Sequence, residues 1–131
     1  MIIDTSAVLA ILLNEPDAAI FAGAIEKFED RRMSAANYLE AALVIDNRGD
    51  SMARREFDRF VQRSAVAIEQ VTFEQAQIAR EAYRDFGKGR YRAGLNFGDC
   101  FAYALARAFD EPLLYKGRDF AHTDIQSVLK R

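Results

Sequence analysis

Three apolar stretches of the chain are each interrupted by a single acidic residue: Asp4 in MIIDTSAVLA, Glu40 in SAANYLEAALVI and Asp99 in LNFGDCFAYALA. An ionised carboxylate is costly to bury without a partner. Each segment must therefore either place its acid at an exposed turn or present it to something positive. That choice constrains the fold, because it decides where three otherwise buried elements come to the surface.

The surrounding pattern places these acids on a succession of short strands and longer helices. Met1–Ile2–Ile3 reads as a buried strand with Asp4 at its carboxyl end, and Thr5 or Ser6 can cap a helix over Ala7–Leu13. Helical spacing continues over Ala18–Phe28. It resumes after Ser34 in a helix over Ala35–Asn47, where Leu39, Ala42, Leu43 and Asp46 share a face. Ser51–Arg63 reads as a polar helix, 66–71 as an alternating strand, and Phe73–Phe86 as a helix capped by Thr72. Asn96–Asp99 opens another apolar helix reaching about Phe109. Pro112–Tyr115 is a final buried strand, with Gly117–Phe120 as its exit turn. Strands alternating with helices predict an α/β domain with a central, mainly parallel sheet flanked by helices, formed by residues 1–131 as one unit.

Composition removes several classes of function. Half of the 131 residues are hydrophobic and 29% are charged, as in ordinary globular domains. Cys100 is the only cysteine and His122 the only histidine. An internal disulfide and a cysteine-rich zinc site are therefore impossible. No apolar run has the length of a membrane span, and the opening residues lack a basic leader, so a cytoplasmic protein is expected. The net charge of −2 does not advertise nucleic-acid binding. With four of the 20 acids neutralised by metal, however, the 18 basic residues would outnumber the rest.

In open α/β sheets, sites form beyond the carboxyl ends of parallel strands. Asp4 and Asp119 lie just past predicted strand ends, Asp99 opens a helix, and Glu40 sits about two turns into its own. Gathered at one edge, these carboxylates would repel each other, and a hard divalent cation such as Mg²⁺ or Mn²⁺ relieves that repulsion. Such a centre suits phosphodiester hydrolysis by a metal-activated water. A purely structural account is also available: Asp4 and Asp99 can serve as helix caps, and Glu40 can pair with an arginine.

Taken in order, MIIDTSAVLA, SAANYLEAALVI, LNFGDCFAYALA and PLLYKGRDFAHTDI resemble the PIN-domain ribonucleases of the VapC type, toxins of bacterial toxin–antitoxin pairs. The resemblance spans nearly the whole chain. It implies a Mg²⁺- or Mn²⁺-dependent endoribonuclease whose principal acids are Asp4, Glu40 and Asp99. Asp119 matches the fourth acid, although Gly117–Arg118 stands where the family usually has a hydroxyl residue; Asp124 is the rival. Ser6 matches a hydroxyl residue near the first acid. The resemblance further implies a homodimer, inhibited by a cognate VapB-type antitoxin within a hetero-oligomer.

The basic, glycine-containing stretch 87–94 brings Lys88, Arg90 and Arg92 close before Asp99, as candidates for RNA phosphate contacts. A non-catalytic PIN-like scaffold is the main rival reading. An aspartate-nucleophile phosphatase fits less well, because Asp4 is followed by Thr5–Ser6 and not by a second aspartate two positions on.

Overall fold

The structure, a computed structural model, describes residues 1–87, 89 and 93–130. Four short strands, β1 (Ile2–Ile3), β2 (Arg32–Ser34), β3 (Ala67–Glu69) and β4 (Leu113–Leu114), form a sheet in the order β3-β2-β1-β4. Every pairing is parallel, with Ile2 opposite both Arg32 and Leu113. The chain builds outward from β1 through β2 to β3, and then crosses to the far side of β1 to add β4. The carboxyl ends of β1 and β4 thus flank the point where strand order reverses, which is where open α/β sheets place their sites.

Side chains alternate across a strand, so neighbouring residues enter opposite cores. Ile3, Met33 and Leu114 pack with α1 (Thr5–Leu12), α2 (Ala18–Glu26), α3 (Ala35–Asp46) and α4 (Ser51–Arg63). Ile2 and Leu113 pack on the other face with α5 (Phe73–Phe86) and α6 (Phe97–Phe109). Both residues of β1 are fully buried, which explains a strand with no polar position.

The observed α/β architecture agrees with the pattern of the sequence, with three local differences. The first helix begins at Thr5 and is capped by Asp4, not by Thr5 or Ser6. β2 was visible only as a restart in the pattern, because it has three residues and begins with Arg32. On α3 the buried residues are Asn37, Ala41 and Ile45, whereas Leu39 and Leu43 face outward. Ser34 and Thr72 cap α3 and α5 as expected, by accepting from the amides of Ala36 and Gln75.

The amino-end edge of the sheet is tied by charge. Glu111, just before β4, accepts from the Met1 ammonium at 2.7 Å and from Arg32 Nε at 3.0 Å. Arg32 also reaches Glu69 and lies over the Phe109 ring, 4.4 Å from its centre. Burial pushes the Glu111 carboxyl up, but these two cations outweigh it and hold it below its ordinary 4.5. A lowered folded value stabilises the protein above the unfolded value and loses that contribution as pH falls through the folded one. Glu111→Gln is therefore expected to cost roughly 1 kcal/mol at pH 7. In denaturant titrations the difference from the parent should close as the pH drops below the ordinary carboxylate value.

Candidate active site at the carboxyl edge of the sheet

Asp4 leaves β1 in an extended conformation, and its own amide donates to the carbonyl of Leu114 at 2.9 Å. The residue is 4% exposed, and its Oδ2 accepts from the amide of Ser6 at 3.0 Å and from the Ser6 hydroxyl at 2.5 Å. Ser6 Oγ in turn accepts from the amide of Lys116, just past β4. One hydroxyl thereby links the exits of β1 and β4. Burial pushes the Asp4 carboxyl up to about 6; the Ser6 bonds oppose this and the charge of Glu40 adds to it.

Glu40 reaches the same edge from α3. Thr5 Oγ1 lies 2.5 Å from Glu40 Oε1 and 3.1 Å from the carbonyl oxygen of Asn37, sharing its proton between two acceptors. Asn37, one turn before Glu40, donates through Nδ2 to the carbonyl of Gly98 at 2.9 Å and to Glu40 Oε1 at 3.4 Å. Its Oδ1 is buried without a partner among the described residues. Glu40 Oε2 receives no hydrogen bond from the described residues.

Asp99 occupies the first turn of α6 in a reciprocal capping box with Asn96, accepting at 3.0 Å and donating its amide at 2.9 Å. Burial raises its carboxyl well above the usual range against the Asn96 bond. The charge of Asp4 and the neighbouring Asp119 raise it further. The turn that brings Asp119 back from β4 passes through Gly117 at φ +94°, a left-handed conformation natural to glycine. Asp124 is engaged elsewhere, accepting from the Tyr103 hydroxyl at 2.6 Å and pairing with Arg107 at 3.5 Å. His122 is exposed. Lys88, Arg90 and Arg92 lie outside the described residues.

The structural alternative and the cluster thus coexist: Asp4 and Asp99 do cap helices, yet both still carry carboxylates with raised affinity for protons. Among the described residues, none of Asp4, Glu40, Asp99 and Asp119 forms an ion pair with a cation. Nor, among the described residues, are any three His, Cys, Asp or Glu side chains grouped closely enough to hold a metal ion. The donors are carboxylate and hydroxyl oxygens on an open edge. That set fits a small hard cation that keeps several of its waters.

Sequence reasoning passed over Thr5, Asn37 and Gly98. A glycine in the first turn of an apolar helix was the available signal, since it marks a close approach. A cavity of about 570 Å³ lies between α5 and α6, lined by residues including Arg80, Tyr83, Phe97 and Phe101. None of the four acids lines it.

A profile of the PIN-domain family matches residues 1–126. Ribonuclease VapC30 of Mycobacterium tuberculosis is 54% identical over 128 residues, covering 98% of each chain. Among solved structures, M. tuberculosis VapC20, described as a sarcin-ricin loop cleaving toxin, superposes with a TM-score of 0.75 at 16% identity, covering 95% of each chain. A toxin–antitoxin complex from Klebsiella pneumoniae gives 0.70 at 14% identity, over 94% of this chain and 92% of that one. These two likenesses are of fold. With the family profile matched from its first residue to within five of its last, and over half its residues shared with a VapC ribonuclease, the chain belongs to the PIN-domain family, in its VapC group.

Proposed function

We propose that this protein is a toxin of the VapC type that cleaves RNA internally with Mg²⁺ or Mn²⁺ held by Asp4, Glu40, Asp99 and Asp119. The observation that carries this reading is the pairwise coupling of Asp4 to Glu40 and of Asp99 to Asp4 and Asp119 beside the strand-order reversal, with no cationic side chain to neutralise them among the described residues. Relatives at 54% identity bear the name ribonuclease. The bound cation would supply Lewis acidity, lowering the pKa of a water and offsetting charge on the scissile phosphate.

The chain's own residues do the positioning. Ser6 fixes Asp4 Oδ2, Thr5 and Asn37 fix Glu40 Oε1, and the Asn96 capping box fixes Asp99 Oδ2. Glu40 Oε2, which carries no hydrogen bond from the described residues, would take the proton of the attacking water as the water oxygen bonds to phosphorus and the leaving oxygen departs with the electrons of the broken P–O bond. Asp119 is favoured as the fourth acid by its influence on the Asp99 carboxyl, while Asp124 accepts from Tyr103.

A VapB-type antitoxin is the partner this reading implies. The Klebsiella relative in fold was solved as a toxin–antitoxin complex, and Leu39 and Leu43 lie exposed on α3 on either side of Glu40. A homodimer and cytoplasmic residence follow from the family resemblance. No helix among the described residues is long and apolar enough to cross a membrane.

Cleavage of an RNA substrate should need added Mg²⁺ or Mn²⁺ and stop with chelator. Asp4→Asn and Asp99→Asn should each lower it by at least about a hundredfold. Asp99→Asn should also melt no lower than the parent in chelator, since it removes one of several repelling charges. Cleavage unaffected by chelator sinks the metal reading, and RNA binding without cleavage in the parent supports a scaffold. Separately, Asp119→Asn should lower cleavage by about tenfold or more, whereas Asp124→Asn should stay within about threefold of the parent. The reverse ranking would make Asp124 the fourth acid.

A further inference from the structure

Gly98 holds ordinary helical backbone inside α6, and its φ is not in the left-handed region. Nothing about its conformation calls for glycine, which weakens a helix relative to alanine. Its surroundings do. A Cβ at this position would collide with Glu40 Oε2 and come within 2.9 Å of Cδ and Oε1 of the same carboxylate. The Glu40 carboxylate therefore packs, Oε2 foremost, against the bare α-carbon that precedes Asp99. Asn37 holds the two helices in this register, with Nδ2 on the Gly98 carbonyl and its own Oδ1 left buried and unpartnered. An orphaned buried acceptor is tolerated where the group serves something besides stability.

We propose that Gly98 is a positioning residue whose missing side chain forms the seat for the Glu40 carboxylate, with Asn37 locking α3 to α6 at that seat. The seat sets how close Glu40 comes to Asp99, and so how the acids share one cation. This rests on the metal-site reading above. The colliding atoms belong to the tip of a flexible side chain, so an added methyl displaces Glu40 and leaves the fold in place.

The test is calorimetric titration of the full chain with Mn²⁺ alone, alongside thermal melting in chelator. Gly98→Ala should melt at or above the parent temperature yet bind Mn²⁺ at least about tenfold more weakly. In a Glu40→Ala background the same substitution should change Mn²⁺ affinity by less than about twofold, because its effect passes through Glu40. Asn37→Ala should show the same dependence on Glu40. If Gly98→Ala binds Mn²⁺ like the parent while Asp99→Asn does not, the seat is overturned and the metal site stands. An equal loss with and without Glu40 also overturns the seat. Parent-like binding by Asp99→Asn overturns the metal-site reading, and the seat with it.

Discussion

The rest of the molecule is arranged around a carboxylate buried at the end of its central strand. Asp4 is placed by a β1 whose residues are fully enclosed, so it cannot retreat into solvent without pulling the sheet apart. The described residues supply it with no cation, only the hydroxyl and amide of Ser6. Hydrogen bonds lower the cost of such a group without removing it. The parallel topology then aggravates the problem, because it delivers the exits of β2 and β4 to the same edge, bringing Glu40 and Asp119 with them. A fold chosen for stability alone would pair or replace these acids.

The two edges of the sheet use charge in opposite ways. At the amino edge, Glu111 is matched by Arg32 and the terminal ammonium, so charge joins β1, β2 and the entry to β4. At the carboxyl edge, Asp4, Glu40 and Asp99 are held by neutral groups, namely Ser6, Thr5, Asn37 and the backbone of α6, and have no ion pair among the described residues. Paired charge is concentrated at one end of the strands and the candidate acids lie at the other. This division lets the acid edge stay open and uncompensated.

Much of this was legible in the sequence because the signals were local. The isolation of Asp4, Glu40 and Asp99 in apolar runs marked them as candidates, and Ser34 and Thr72 marked helix starts through cap chemistry. What escaped depended on distant contacts. β2 has too few residues for alternation to register, and its first is an arginine stacked on Phe109. Leu39 and Leu43 have the spacing of a buried face, yet α3 turns Asn37, Ala41 and Ile45 inward. Asp119 and Asp124 are equivalent by spacing alone, and it is a distant contact that separates them: Tyr103, one turn beyond Asp99 on α6, engages Asp124.

β1 and β4 contribute only two residues each to the sheet, so few ladder bonds secure its carboxyl edge. The bond from the Lys116 amide to Ser6 Oγ extends the link between these strands beyond the last ladder position. That contact makes the edge behave as a keystone joint. A strain that frees the Lys116 amide also withdraws support from the serine holding Asp4. Loosening of the β4 exit would thus be felt at the first acid before either strand had parted, and the amide of Lys116 would exchange with solvent in step with the site.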